Sequence, residues 1–241
     1  MIVAGFDTET TGLDVVNDQI IEVGVVLWDT ERKKPMRTYS AMVAYIEKPL
    51  DPKITELTGI TTEDLAQWGS SPQKVLQQCL LMFAQAKVVV AHNGNLFDRP
   101  MFEHNCARHE LPEISKDILW VDTSCDIEFP AHISTRKLTH LAAEHGFVNP
   151  FQHRALFDVL TMLKVADLYP WDKTLEWAKT PNLVVQGVST YHQREVVKRQ
   201  GYRWEGESKR WLKTIKEFQL KDVTDQADAA GFSVAIVKGN K

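Results

Sequence analysis

Gly5-Phe6-Asp7-Thr8-Glu9-Thr10-Thr11-Gly12 is the stretch on which the reading of this chain turns. Upstream of it, Met1 to Phe6 form a short apolar run of strand character. Side chains of an extended strand alternate between its faces, so Asp7 and Glu9 project on the same side. Two carboxylates held that close repel, and one takes up a proton unless a cation lies between them. A hard divalent cation prefers oxygen ligands of this kind and draws on further carboxylates to complete its shell. Taken alone, Asp-x-Glu at a strand end is more simply an acidic pair facing water. Two later segments change that weighing.

The first is His92-Asn93-Gly94-Asn95-Leu96-Phe97-Asp98, directly after a β-branched strand at 87–91. The strand delivers the chain to the end of a sheet, the Gly-containing turn redirects it, and Asp98 opens a helix. By itself Asp98 is an ordinary helix-start acid. The second is His153-Arg154-Ala155-Leu156-Phe157-Asp158. His153 and Asp158 stand too far apart to share one face of an unbroken helix. They converge only if His153 lies at or before the first turn, which the preceding Asn149-Pro150-Phe151-Gln152 loop allows.

Around these segments the pattern is that of an α/β domain. Residues 19–28 read as a largely buried strand and 36–46 as a third, joined by a hairpin connection at 29–35. Residues 53–68 read as short helical turns, with Thr61 as a cap. Ser71-Pro72 opens a helix running to 86, with Val75, Leu76, Cys79, Leu80 and Phe83 on one face. Helices follow at 98–109, 135–145 and 153–169, and a strand at 118–121. In the last helix Leu156, Leu160, Leu163 and Leu168 are the core-facing candidates. Three strands followed by alternating helix and strand predict a mixed sheet flanked by helices. Pro170, Pro181 and Asn182 mark a boundary, which divides the chain into domains 1–178 and 179–241. The second part reads as strand 184–188, helix 191–200, hairpin 202–214, helix 217–230 and strand 232–237, a small α+β module.

At 241 residues, 44% hydrophobic and 25% charged, the composition is that of a soluble globular protein. No apolar run reaches membrane-spanning length, and Asp7 interrupts the only apolar start, so neither a membrane partner nor a signal peptide is expected. Cys79, Cys106 and Cys125 have no Cys-x-x-Cys spacing, which fits a reduced, cytoplasmic protein. The net charge of -4 hides an asymmetry: residues 182–241 carry 11 Lys+Arg against 7 Asp+Glu, whereas the rest of the chain is acidic. One part concentrates carboxylates and the other attracts polyanion. His104, Cys106 and His109 are spaced loosely like zinc ligands but lack a fourth partner and fall within a predicted helix. No Gly-x-Ser-x-Gly elbow supports a nucleophilic serine.

Phe-Asp-Thr-Glu-Thr-Thr-Gly, then His-Asn-x-x-x-Phe-Asp, then His-Arg-Ala-Leu-x-Asp resembles the three signatures of the proofreading-type 3′–5′ exonucleases. The likeness is to the branch with four acids and a histidine (DEDDh), which includes the epsilon subunit of bacterial DNA polymerase III, and it covers roughly residues 1–168. It implies a ribonuclease H-like mixed sheet and two divalent cations, Mg²⁺ with Mn²⁺ as a substitute. Asp7, Glu9 and Asp158 are then metal ligands, Asp98 acts nearer the second ion, and His153 is the general base. Thr10, Thr11, Gly12, Leu13, His92 and Asn93 become substrate-binding candidates. Thr58 departs from the pattern, standing where many relatives have a histidine near the terminal nucleotide. The implied activity is release of nucleoside 5′-monophosphates from the free 3′ end of nucleic acid, above all single-stranded DNA. RNA trimming by the same residues is the alternative, and a catalytically silent scaffold is a more distant one.

The run from Arg194 to Lys216 interleaves basic residues with Tyr202, Trp204 and Trp211. Arg194, Lys198, Arg199, Arg203, Lys209 and Arg210 are candidates for contact with a phosphate backbone. For the tryptophans the simpler reading is a pair across a hairpin that serves as core. Trp171 and Trp177 read as packing between the two parts of the chain. The Gly-Tyr-Arg-Trp-Glu-Gly-Glu-x-Lys-Arg-Trp run also resembles the appended module of exodeoxyribonuclease X-type enzymes.

Overall fold

Phe6 shows why the first strand sits at the centre of the sheet. Its ring is fully buried and meets Phe83, Phe102 and Trp120 edge-on, with ring centroids 5.1, 5.2 and 6.3 Å away. The structure, a computed structural model, describes residues 1–44, 48–130, 132–133, 135–206 and 208–240. It divides into two compact units, Met1–Leu175 and Glu176–Lys241.

The first unit holds five strands: β1 (Ile2–Thr10), β2 (Ile20–Asp29), β3 (Lys34–Met42), β4 (Val88–Ala91) and β5 (Leu119–Asp122). They are ordered β3-β2-β1-β4-β5, with β1 antiparallel to β2 and parallel to β4. β2 is antiparallel to β3, and β4 parallel to β5, so the sheet is mixed. Its helices are α1 (Pro52–Thr58), α2 (Thr62–Trp68), α3 (Pro72–Phe83), α4 (Asp98–Arg108), α5 (Leu138–Glu144) and α6 (Ala155–Ala166). α7 (Trp171–Lys179) follows and carries the boundary between the units.

The two faces of β1 do different things. Ala4 and Phe6 enter a core built with Leu76, Phe83 and Phe102. Gly5 faces the other way, where a Cβ would meet Val159 and Leu163 at 2.6 Å. The missing side chain lets α6 lie close on the face that also carries Asp7 and Glu9. β2, covered on both sides, is buried along nearly its whole length. Thr61 closes a reciprocal capping box with Asp64 at the start of α2, and Ser71 caps α3.

Several expected boundaries shift. α6 begins at Ala155, two residues later than the pattern suggested, and its buried stripe is Ala155, Val159, Met162, Leu163, Val165 and Ala166. Leu168 lies past the helix end and is exposed. The third strand ends at Met42, and 45–47 lie outside the described residues. The stretch read as a mere boundary contains α7, because Pro170 precedes the helix, where its missing N–H takes nothing from the ladder.

The second unit is a four-stranded antiparallel sheet ordered β7-β8-β6-β9, from β6 (Asn182–Val188), β7 (Arg203–Glu205), β8 (Arg210–Lys216) and β9 (Ser233–Asn240). α8 (Arg194–Arg199) and α9 (Leu220–Ala229) supply Val197, Val223 and Ala227 to a core with Val185, Tyr202, Ile215 and Phe232. Trp171 donates to Asp167 in the first unit, while Trp177 is packed edge-on to Phe218 in the second. No helix among the described residues is long and apolar enough to cross a membrane.

Candidate active site

Asp7 and Glu9 reach the site by strand alternation alone. Glu9 is buried, opposite Glu22 of β2. Asp98 arrives from the other side of β1. The last β1–β4 pair is Gly5 with Val90, so the end of β1 outruns its neighbour. There Asp98 Oδ1 accepts from the Thr8 amide (3.1 Å) and from Thr8 Oγ1 (2.8 Å), replacing a strand partner.

The turn that presents Asp98 is held by an acid the sequence did not single out. Asp122, buried at the end of β5, accepts from the amides of Asn93, Asn95 and Ser124 and from Ser124 Oγ. His92 lies in the same network, with Nδ1 on Thr123 Oγ1 (2.8 Å) and Nε2 on the Arg136 carbonyl (2.7 Å). Both ring nitrogens are therefore engaged, and burial lowers the His92 pKa. By these two contacts His92 pins the turn. Asn93 is exposed, with φ of 61°.

The third arm brings His153 to Asp158. His153 precedes α6 with φ of 59°, a left-handed conformation that turns the chain sharply into the helix. Its amide donates to Asp158 Oδ2 (2.8 Å), and buried Asn149 donates from Nδ2 to Asp158 Oδ1 (2.8 Å). The loop histidine and the helix aspartate thus converge. Ligand atoms of Glu9, His153 and Asp158 lie within 4.8 Å of one another, in an arrangement able to hold a metal ion.

Burial raises all four carboxyls, and neighbouring acids add to it at Asp7 and Glu9. Burial, then Asp98, Glu9, Asp158 and Glu22, hold Asp7 well above the usual carboxylate range. Burial pushes Glu9 up to about 8, aided by Asp158, Glu22 and Asp98 and opposed by Arg154. Asp98 is pushed up to about 7 by burial, against the lowering effect of its Thr8 hydrogen bonds. Asp158 is also raised by burial, with the His153 amide opposing. A cluster of hard oxygen donors short of positive charge is the chemistry a divalent cation relieves.

Beyond Glu9 the chain turns through Thr10, whose Oγ1 donates to the Gly12 carbonyl (2.6 Å), and Thr11, whose Oγ1 donates to Asp18 (2.8 Å). A Cβ on Gly12 would meet the Asp18 carboxylate at 2.4 Å, so the glycine serves the turn itself. Leu13 is 84% exposed at its tip. Thr58 is buried, donating to the Ile54 carbonyl and accepting from the Ile60 amide.

Residues 4–166 match the sequence model of the exonuclease family RNase_T. The chain belongs to that family. It is 41% identical over 90 residues to the PolC-type DNA polymerase III of Caldanaerobacter subterraneus subsp. tengcongensis, covering 37% of this chain and 6% of that one. To the Streptococcus thermophilus PolC-type polymerase it is 30% identical over 159 residues, covering 64% and 10%. The chain therefore spans a tenth or less of these relatives. Among solved structures, E. coli exonuclease I in complex with a dT13 oligonucleotide aligns with a TM-score of 0.64 at 16% identity, over 78% of this chain and 48% of that one. The nuclease domain of 3′hExo, a DEDDh family member bound to rAMP, aligns at 0.57 and 20% identity, over 69% and 90%. The five-stranded sheet and its helices are thus the ribonuclease H-like fold of proofreading-type exonucleases.

In the second unit Trp204 and Trp211 pair across β7 and β8, with ring centroids 5.5 Å apart. Trp211 packs against the core of the unit as expected, whereas Trp204 is 54% exposed, because β7 is a three-residue edge strand with a neighbour on one side only. Arg194, Lys209 and Arg210 are exposed, as are Lys198 and Arg203, and the Arg194 guanidinium lies 4.2 Å from the Tyr191 ring centroid.

Proposed function

We propose that this chain is a 3′–5′ exonuclease that releases nucleoside 5′-monophosphates from single-stranded or frayed DNA ends. The observation that carries the proposal is the convergence of Asp7, Glu9, Asp98 and Asp158 from three elements on one half-buried spot, with exposed His153 beside them. The donor set suits divalent cations, held by Asp7, Glu9 and Asp158 with Asp98 nearer a second ion. Bound Mg²⁺ or Mn²⁺ would supply charge neutralisation for the phosphoryl oxygens and acidify the attacking water. His153 takes the proton from that water. Thr8 holds Asp98 in place, and Asn149 orients Asp158. Leu13, with Thr10, Thr11 and Gly12 beneath it, meets the terminal nucleotide. Residues 179–241 form an accessory module whose Arg194, Lys198, Arg199, Arg203, Lys209 and Arg210 follow the strand's phosphates. DNA is preferred over RNA because the sequence relatives are DNA polymerases.

The test is digestion of 5′-labelled DNA and RNA oligonucleotides, single- and double-stranded, with Mg²⁺, Mn²⁺ or EDTA. The expected result is progressive shortening from the 3′ end, fastest on single-stranded DNA, stopped by EDTA and by Asp7→Ala. Full turnover by folded Asp7→Ala, or in EDTA, would overturn the proposal.

A further inference from the structure

Glu22 is out of place in β2. Every other residue from Ile20 to Trp28 is apolar or glycine, and all are buried, yet Glu22 is an acid with 2% exposure. Its position opposite Glu9 adds one more negative charge to a site already crowded with them. A hydrocarbon side chain there would continue the strand without that repulsion.

What compensates Glu22 lies 132 positions along the chain. Arg154 Nε donates to both carboxylate oxygens (3.1 and 3.2 Å), and Nη2 donates to Oε1 (2.8 Å). The amide of Ala155, first residue of α6, donates to Oε2 (2.9 Å). Gly24, two residues on and on the same face of β2, completes the seat: a Cβ there would meet the Ala155 carbonyl carbon and the Leu156 nitrogen at 2.5 Å. The first turn of α6 therefore rests directly on the sheet, with Glu22 as its anchor. The two residues anchored, Arg154 and Ala155, join His153, in its left-handed conformation, to the helix that carries Asp158.

We propose that the Glu22–Arg154 pair positions the reacting groups: it fixes the start of α6 so that His153 and Asp158 stay in register with Glu9. The inference rests on the functional reading above. Arg154 acts through Glu22 and does not itself touch the substrate. The two-point grip needs a planar guanidinium, so a lysine keeps the charge and loses the geometry.

The experiment compares the full chain with Glu22→Gln, Arg154→Lys and the double variant Glu22→Gln/Arg154→Met, each checked by a cooperative thermal melt. With single-stranded DNA and Mn²⁺, kcat should fall by about 10–100-fold in each, the usual scale for losing an outer-shell partner, while KM changes much less. The double variant should be no slower than the slower single variant, because both break one device. In metal-free protein, amide hydrogen exchange at Ala155 should speed up in Glu22→Gln, a readout independent of turnover. Wild-type kcat in folded Glu22→Gln and Arg154→Lys overturns the proposal. So does a raised KM in Arg154→Lys with both constants unchanged in Glu22→Gln, which would make Arg154 a phosphate contact. If a single variant fails to fold, the double variant, which buries no unpaired charge, decides by the same kcat criterion. Asp7→Ala is run in parallel: if it retains turnover, the functional reading fails, whereas its inactivity beside active clamp variants sinks the clamp alone.

Discussion

Burial and three neighbouring acids hold the Glu9 carboxyl at about 8 instead of its ordinary 4.5, and burial holds Asp98 at about 7 instead of 3.8. For a carboxyl raised on folding, the native state keeps a proton that the unfolded chain has already released. Stability is then greatest below the ordinary value and falls as pH climbs towards the folded value. Metal-free protein should therefore lose thermal stability between about pH 4.5 and pH 8, and Glu9→Gln should flatten that decline. Mn²⁺ should raise Tm more at the alkaline end of the window, because binding there displaces fewer protons. A Tm in EDTA that rises across the window contradicts this account. His153 raises a separate question, since a ring nitrogen lies within 4.8 Å of carboxylate oxygens of Glu9 and Asp158, close enough to share an ion with them. As a general base, its replacement in His153→Ala should cut kcat by roughly 10²–10⁴-fold and flatten the acid limb of the pH–rate profile. Mn²⁺ affinity, measured by calorimetry, should change little. Collapse of that affinity would make His153 a ligand.

Among the elements, the contact of α6 with β1 and β2 sets the site, and glycines at Gly5 and Gly24 make it close. At Gly5 a new Cβ would meet side-chain carbons of Val159 and Leu163, which can turn aside; at Gly24 it would meet the backbone of Ala155 and Leu156, which cannot. Gly24→Ala should thus cost about 1–3 kcal/mol, as overpacking does, and lower kcat by lifting His153 and Asp158 from β1. Gly5→Ala should affect stability more than rate. Urea melts paired with kcat for each variant check this, and equal kcat losses in both would deny the contact its special role. The difference also marks what could be read from the chain alone. Asp7, Glu9, Asp98, His153 and Asp158 stood out because they fall in three short motifs that together resemble one family, each motif local in sequence. Glu22 and Asp122 did not, because their partners are distant in sequence: Arg154 for one, the turn at Asn93–Asn95 for the other. The contacts of His92 with Thr123 and Arg136 likewise arise only in the fold. The strands of the first unit followed from the apolar runs, while α7 was hidden by a proline that reads as a breaker and serves as a lead-in.

The molecule as a whole separates charge by unit, carboxylates gathered in the first and a basic excess in the second. If the second unit tracks the strand by contacts that take no part in the reaction, those contacts hold ground and transition states alike. They should then act on KM and leave kcat nearly unchanged. Arg203, Lys209 and Arg210 surround the β7–β8 hairpin, and Trp204 leaves a face open to a base. Replacing the three cations with glutamine should raise KM for a long single strand. It should also lower the log–log salt slope of binding by about 0.7 for each phosphate no longer neutralised, about 2 if all three cations take part. Trp204→Ala should weaken binding by about 1–3 kcal/mol, the scale of one base stacked on an aromatic ring, while the salt slope stays the same. The two kinds of variant thus separate charge from stacking. Binding is measured in EDTA on the full chain, so that hydrolysis does not intrude. If affinity and salt slope for the long strand are the same in wild type, the triple variant and Trp204→Ala, the hairpin has no part in holding nucleic acid, and the basic excess of this unit serves another surface.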